Sequence, residues 1–199
     1  MSDLYHQGNR EFQDQFGTRP LADRIDDLIR KDHLEEEEIE FISARNMFFI
    51  STVDADGRPT VSYKGGATGF VRVLDEKNIA FPLYDGNGMF FSAGNITANP
   101  DVGLLFIDFE NPHRLRLHGT ATVSTDDELL DSYPEADMIV RIEVRNTFIN
   151  CPRYIHPGAG TEQSVHVPVD GVETPDAEWK TWEVVADVLP EKKPIPKKK

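Results

Sequence analysis

The sequence predicts a mainly β protein with flanking helices, built around an antiparallel barrel of six or seven strands. Short runs rich in β-branched and aromatic residues recur through the middle of the 199-residue chain, separated by turn-forming Asp, Gly, Asn and Pro residues. The connections between these runs leave little room for the crossover helices that a parallel sheet needs. We therefore expect successive strands to pair as antiparallel neighbours.

Composition restricts the class of protein further. The formal charge is −14, from 21 Lys and Arg residues against 35 Asp and Glu residues, and such an acidic chain repels the phosphate backbone of nucleic acid. No apolar stretch approaches the roughly 20 residues that cross a bilayer, and the single cysteine, Cys151, excludes an internal disulfide. We expect a cytoplasmic protein with no nucleic-acid or membrane partner, in which any bound anion is held by local cations.

Residues 1–45 are predicted to form a helical lead-in. Between residues 21 and 45, apolar residues recur at helical spacing among many charges, and the pattern breaks near Asp32 and His33. Four adjacent carboxylates, from Glu35 to Glu38, follow this break. Because such carboxylates point in different directions around a helix, a solvated first turn is favoured over an acidic metal site.

Residues 46–156 are predicted to form the barrel. Its strand candidates are residues 47–53, 60–64, 70–74, 79–84, 102–109, 114–123 and 139–149. A helix-length segment at residues 89–98 interrupts them and ends at Asn99, because Pro100 disfavours helical geometry in the residue before it. A short acidic helix is expected around residues 126–132.

The C-terminal part is predicted to be less regular. Residues 157–189 contain scattered Gly and Pro and an apolar patch around Trp179 and Trp182, which suggests an irregular extension. Residues 190–199 are rich in lysine and proline. Because this composition cannot bury a core, we expect a mobile basic tail.

The first candidate binding segment lies at the end of the second strand, where Val61, Ser62 and Tyr63 lead into Lys64 and Gly65. The lysine supplies a positive charge, and the glycine lets a ligand approach the backbone closely. The alternative is an ordinary strand end with a solvated lysine.

The second segment is a loop of small residues that runs into the helix at residues 89–98. It comprises Tyr84, Asp85, Gly86, Asn87 and Gly88, with Ser92 and Asn95 in the first turns of the helix. Unpaired N–H groups at a helix N-terminus form a phosphate-binding site. The alternative is simple helix capping by Asp85 or Asn87.

The third segment is a strand on which Arg114, Arg116 and His118 alternate with leucines. Alternating residues share one face of a strand, so the three side chains would form a cationic face suited to a phosphate or an electron-rich ring. The alternative, given equal weight, is that the arginines pair with surface carboxylates.

The order of these segments resembles the FMN-binding split β-barrel family that is related to pyridoxamine 5′-phosphate oxidase. The resemblance rests on Val-Ser-Tyr-Lys-Gly-Gly at residues 61–66, the loop and helix that end at Asn99-Pro100, and Arg-Leu-Arg-Leu-His-Gly at residues 114–119. It implies an antiparallel split barrel, FMN as the cofactor, and a homodimer that holds the flavin at its interface.

A fourth segment, Asn-Cys-Pro-Arg-Tyr-Ile at residues 150–155, is similar to one found in a bacterial subgroup of this superfamily. Arg153 is a candidate for binding an anion and Tyr154 for stacking, whereas Cys151 has no partner for dithiol chemistry. His156, His113 and His118 do not have the spacing of a standard metal site, and no metal is expected.

Carried over by position, the resemblance implies a set of cofactor-binding residues on these four segments. They are Val61, Ser62, Tyr63, Lys64, Gly65, Tyr84, Asp85, Gly86, Asn87, Gly88, Ser92, Asn95, Arg114, Arg116, Arg153 and Tyr154. No residue is assigned as catalytic.

The chain also departs from the namesake oxidase. Pro59 stands where that enzyme has a phosphate-binding arginine, and Phe90, Phe91 and Ser92 replace its Ser-Arg-Lys stretch. The C-terminal Arg-Leu-His substrate motif is missing. We therefore do not expect the namesake activity, and we hypothesise that backbone amides of residues 86–88 replace the lost cations.

Two functions remain open at this point. The first is an FMN-dependent oxidoreductase that passes electrons or hydride between a reduced nicotinamide or small substrate and FMN. The second is a non-catalytic protein of the same fold that binds or carries a flavin, haem or a deazaflavin. The fold alone does not separate them.

Overall fold

One antiparallel sheet of seven strands dominates a computed structural model of the chain. The strands are β1 Met47–Val53, β2 Pro59–Gly65, β3 Arg72–Val73, β4 Asn78–Tyr84, β5 Asp101–Asp108, β6 His113–Ser124 and β7 Ala136–Ile149. They lie in the order β2-β1-β5-β6-β7-β4-β3. The predicted antiparallel fold of six or seven strands is confirmed.

The structure describes residues 4–84, 88–160, 175–176 and 178–189. Contacts divide the chain into one unit of residues 31–164 and another of residues 1–30 and 165–199. The first contains the whole sheet together with α3 Glu36–Ser43, α4 Phe91–Ala98 and α5 Pro157–Gly160. The predicted basic tail lies outside the described residues.

The sheet curls around a core of buried aromatic rings. Phe48 on β1 meets Phe81 on β4 with ring centroids 4.9 Å apart, and meets Phe106 on β5 at 5.1 Å. All three rings are fully buried. Strands β5, β6 and β7 separate β1 from β4 in the sheet, so the Phe48–Phe81 contact shows that the sheet closes on itself.

Helix α3 packs against this core and corrects one expectation from the sequence. Ile42 is completely buried, and Glu38 is only 2% exposed. The Glu38 carboxylate accepts a hydrogen bond from the Lys31 amino group at 2.7 Å and another from the Glu35 backbone N–H at 3.0 Å. The prediction of a solvated acidic turn was therefore wrong for Glu38, because this carboxylate caps its own helix and pairs with a lysine.

The second unit contains α1 Gln7–Gln15, α2 Arg19–Ile29 and α6 Glu183–Ala186. Arg24 on α2 pairs with Asp187 at 3.1 Å, just beyond α6. Helix α1 lies within the predicted helical lead-in of residues 1–45, but its bounds were not predicted, because it has no buried residue and so no apolar stripe. Its sequence signal is the capping box formed by His6 and Asn9.

Two other predicted elements are shorter than expected. Strand β3 is reduced to Arg72–Val73, because Gly69 has a φ of +80° and Phe70 closes a turn onto Ala67. The acidic segment at residues 126–132 forms only a 3₁₀ turn, Leu130–Ser132. In the described part of the chain, no helix is long and apolar enough to cross a membrane.

Candidate functional site

A cleft of about 310 Å³ opens where the ends of β2 and β4, the start of β7 and the first turn of α4 meet. Its lining residues are Ser62, Tyr63, Lys64, Leu83, Tyr84, Gly88, Phe90, Phe91, Ser92, Ala93, Asp137 and Met138. The four elements come from distant parts of the sequence, so the cleft exists only in the folded chain.

Among the described residues that line this cleft, Lys64 is the one lysine or arginine. It is half-buried on β2, and burial lowers the pKa of its amino group. Within the ranges that the structure describes, no carboxylate lies close enough to form an ion pair with it. A half-buried ammonium without a counter-ion is costly, so a ligand with negative charge would stabilise it.

The N-terminus of α4 faces the same cleft. Its N-cap residue, Phe90, makes no capping hydrogen bond with its side chain, which leaves first-turn N–H groups available to a ligand. The hydroxyl of Ser92 lies 3.3 Å from the hydroxyl of Ser62 on β2. Hydroxyls, helix N–H groups and the Lys64 amino group are together suited to a phosphate.

Aromatic side chains form the mouth of the cleft. Tyr63 is 62% exposed, and Phe90 and Phe91 are 56% and 52% exposed. Tyr84 is also exposed at the end of β4. Large exposed rings around a concave site favour a flat aromatic ligand, against which they can stack.

Phe90 has a left-handed backbone with a φ of 49°, which bulky residues rarely adopt. Replacing it with glycine is expected to raise the free energy of unfolding by about 0.5–1 kcal/mol. The left-handed conformation costs a residue with a Cβ about 1–2 kcal/mol, and glycine avoids this cost. Glycine also makes the unfolded chain more flexible, which lowers the free energy of unfolding by about 0.5–1 kcal/mol. Urea denaturation measures the change.

The adjacent variant Phe91→Gly is the matched control, because Phe91 is the first residue of α4. Glycine is a poor helix former, so the free energy of unfolding of this variant should fall by up to about 1 kcal/mol. Equal destabilisation of both variants would show that the backbone of Phe90 is not strained.

The structure brings six predicted cofactor-binding residues into the cleft, namely Ser62, Tyr63, Lys64, Tyr84, Gly88 and Ser92. Val61 and Gly65 flank them on β2. Asn95 is instead buried behind the cleft, where its amide donates to Thr52 Oγ1 at 3.0 Å. Asp85, Gly86 and Asn87 lie outside the described residues, so of the loop 86–88, whose amides are expected to replace the lost cations, the structure describes only Gly88.

The other predicted residues lie away from this cleft. Arg114 donates from Nη2 to the carbonyl of Cys151 at 2.9 Å. Arg116 lies over the ring of Phe148, 5.5 Å from its centroid. Arg153 donates to the hydroxyl of Tyr154 at 3.0 Å. Within one chain these side chains therefore do not line the cleft with Lys64.

Several lining residues were not predicted as binding residues. They are Leu83, Phe90, Phe91, Ala93, Asp137 and Met138. The pairing of Leu83 with Met138 brings β7 to the cleft, and no local motif signals such a pairing. Phe90 and Phe91 carried a usable signal, since they replace polar residues of the related oxidase.

A larger groove, of about 730 Å³, lies between α3 and the β5–β6 turn. Its walls include Glu37, Glu40 and Asp108, and Asp108 pairs with Arg45 at 2.7 Å. The carboxylates make this groove unsuitable for a phosphate, which leaves the smaller cleft as the better candidate. Among the described residues, no cluster of His, Cys, Asp and Glu is arranged to hold a metal.

A comparison with protein families finds a match over residues 34–172 to the family described as pyridoxamine 5′-phosphate oxidase. The matched segment contains the complete sheet and the cleft. No similar sequence was found among the curated proteins.

Several solved structures are similar to part of the chain. A candidate pyridoxamine 5′-phosphate oxidase from Lactobacillus delbrueckii is 26% identical, with a TM-score of 0.49, over 59% of this chain and 95% of that one. The haem storage protein HutZ from Vibrio cholerae is 23% identical, with a TM-score of 0.44, over 59% and 95% of the two chains. An FMN-binding protein from Syntrophomonas wolfei is 10% identical, with a TM-score of 0.41, over 72% and 95%.

Proposed function

The chain belongs to the pyridoxamine 5′-phosphate oxidase family, and on this premise we propose that it is an FMN-binding flavoprotein whose cleft between β2, β4, β7 and α4 holds the flavin. The observation that carries the proposal is Lys64, a half-buried cation without a carboxylate partner in the described residues, beside the uncapped N-terminus of α4. This pairing supports a ligand that bears a phosphate.

The lining residues fit FMN in chemical type. The amino group of Lys64, the first-turn N–H groups of α4 and the hydroxyls of Ser62 and Ser92 would hold the phosphate. Tyr63 and Phe90 would pack on the ring system and exclude water from it. Bound FMN supplies the capacity to accept and release hydride or electrons.

We further propose that the protein is an oxidoreductase in which the cofactor performs the chemistry. Among the described residues, the titratable ones that line the cleft are Tyr63, Lys64, Tyr84 and Asp137. Asp137 is exposed at the start of β7, and neither histidine nor cysteine is among the described residues that line the cleft. The protein would therefore orient the flavin and a small substrate or nicotinamide, with little acid–base chemistry of its own.

A homodimer is part of this proposal. Val61 is 69% exposed and Tyr63 is 62% exposed on the outward face of β2, an edge strand of the sheet. Adjacent exposed apolar side chains on an edge strand favour burial against another chain. A second copy would cover this edge and help to enclose the flavin, and a verified monomer that retains flavin would contradict this arrangement.

A second candidate is a non-catalytic carrier of a flavin, haem or deazaflavin, and the lack of histidine and cysteine among the described lining residues favours its flavin and deazaflavin forms. The protein as purified should show flavin absorbance near 370 and 450 nm, roughly, if FMN is bound. Anaerobic bleaching by NADH or NADPH would support the oxidoreductase. A Soret band would contradict FMN, and a flavin that no reductant bleaches would favour the carrier.

The cytoplasmic location stays a prediction.

A further inference from the structure

The groove between α3 and the β5–β6 turn shares no described lining residue with the proposed flavin cleft. Its volume of about 730 Å³ lies within the range of roughly 300–1,000 Å³ that is typical of small-molecule sites. The groove is therefore a candidate site for a second ligand, whether or not the cleft holds a flavin.

The floor of the groove is apolar. Leu115 on β6 is buried, and Phe41 on α3 and Ile149 at the end of β7 pack against the core while they line the groove. Pro112 in the β5–β6 turn adds further apolar surface. Contact with such a floor favours a ligand that has a hydrocarbon body.

The aromatic wall at Phe41 is held in place by its neighbours. The ring of His113 meets the Phe41 ring edge-on, with centroids 4.8 Å apart and an angle of 71° between the rings. The guanidinium of Arg45 lies over the Phe41 ring, 4.8 Å from its centroid. Because this wall is formed before a ligand arrives, less ordering of side chains opposes binding.

The rim of the groove consists of two carboxylates, Glu37 and Glu40, which line it from α3. Residues three apart lie on the same side of a helix, so both carboxylates border the same opening. Both residues are exposed, and neither forms an ion pair within the part of the chain that the structure describes. Two adjacent carboxylates without counter-ions attract a cation.

The other two carboxylates of the lining, Glu38 and Asp108, are already paired. Glu38 lies 2.7 Å from the Lys31 amino group, and Asp108 lies 2.7 Å from the Arg45 guanidinium. Burial raises the pKa of Asp108, but hydrogen bonds from the Asn111 backbone N–H and from Arg45 outweigh burial and leave this pKa below its ordinary value. Lys31 and Arg45 are therefore occupied, and the charge of the rim stays uncompensated.

We propose that this groove binds a small organic cation, in which a primary ammonium group is attached to an apolar body. The ammonium would lie between Glu37 and Glu40, and the body would lie against Phe41 and Leu115. The rim repels a phosphate or a carboxylate, and an inorganic cation would leave the apolar floor in contact with water. The charge of the rim and the apolar floor therefore favour the same class of ligand.

Phenethylammonium is the probe, because it joins an ammonium group to a phenyl ring. It is added to the full chain at constant ionic strength while the backbone amides are followed by NMR, and the amides of α3 and of the β5–β6 turn should shift and saturate. Phenethyl alcohol lacks the charge and hydrocinnamate reverses it, so both should bind at least roughly fivefold more weakly. Methylammonium lacks the apolar body and should bind at least roughly tenfold more weakly. Equal affinities across this series would overturn the proposal.

A double variant, Glu37→Gln with Glu40→Gln, should weaken binding of the probe roughly five- to twentyfold, because two exposed ion pairs are lost. The matched control is the double variant Glu36→Gln with Glu143→Gln. It removes the same charge from exposed residues that do not line the groove, and Glu36 is the neighbour of Glu37 in the first turn of α3. The control should weaken binding less than threefold, roughly, as expected for distant charges that salt screens. Equal weakening in the two double variants would show that the acidic chain attracts the probe diffusely, and would overturn the proposal.

FMN and the oligomeric state provide the remaining arms of the experiment. Unchanged affinity for the probe after addition of stoichiometric FMN would support a separate site, whereas displacement of the probe by FMN would assign the groove to a flavin site and overturn the proposal. A changed oligomeric state of the Glu37→Gln, Glu40→Gln variant in analytical ultracentrifugation would assign the groove to an interface between copies, and would also overturn it. A protein that binds the probe but no FMN would refute the proposed function and support this site.

Discussion

Replacing Lys64 with alanine is expected to weaken FMN binding roughly ten- to hundredfold, because a hydrogen bond between charged groups is worth about 1.5–3 kcal/mol. The fold should survive, since Lys64 makes no ion pair in the described structure and lies on edge strand β2. Fluorescence titration of apoprotein with FMN measures the affinity, and thermal unfolding of the apoprotein checks the fold.

Lys77→Ala provides the control for this prediction. Lys77 pairs with Asp32 at 2.9 Å and does not line the cleft, so its loss removes the same charge without affecting FMN. Gly88 lines the cleft and has a φ of +72°. Replacing it with a bulky residue in the Lys64→Ala variant should weaken FMN binding further. Full flavin occupancy in the double variant would refute the assigned site.

Replacing Gly119 with alanine is expected to destabilise the protein by about 3 kcal/mol. Gly119 lies on β6 beside a register shift in its pairing with β7. An added Cβ would lie 2.5 Å from both the carbonyl oxygen of Glu143 and Cγ2 of Ile142. Neither the buried Ile142 side chain nor a backbone carbonyl can move aside easily, so the strands would have to separate.

Gly94→Ala is the matched control, because Gly94 lies inside α4 and an added Cβ would have no neighbour within 4 Å. The free energy of unfolding of this variant should rise by about 0.5–1 kcal/mol, because alanine restricts the unfolded chain and favours the helix. Urea denaturation of both variants measures the contrast. A Gly119→Ala protein as stable as the parent would show that β6 and β7 are not in such close contact.

The strands were the most predictable part of this protein. Strand β6 alternates leucines with polar residues from Arg114 to His118, and a period of two residues fits only an extended strand with one buried face. The end of α4 at Asn99-Pro100 was also predictable from local sequence, because proline disfavours helical geometry in the residue before it. Helix α1 was predicted only as part of the helical lead-in, without its own bounds, because a helix that buries nothing has no apolar period that marks them.

The candidate site was only partly predictable. Lys64 and Ser92 could be identified from segments whose order resembles a known family, and both line the cleft. Asp137 and Met138 could not be identified, because the β4–β7 pairing that places them there joins residues far apart in the sequence. Asn95 is the opposite case. Its position in the predicted helix indicated a ligand contact, but in the structure its side-chain amide donates a hydrogen bond to Thr52.

The sequence by itself determined the antiparallel strands, the common face of Arg114, Arg116 and His118, and the lysine at the end of β2, since each follows from local spacing and residue type. Only the tertiary structure decided which charged groups lack partners. Local spacing left open whether carboxylates neutralise the arginines, because ion pairs form between side chains that folding brings together. Folding brings the Glu38 carboxylate into an ion pair with Lys31. Lys64, Arg116 and His118, in contrast, form no ion pair with any described carboxylate.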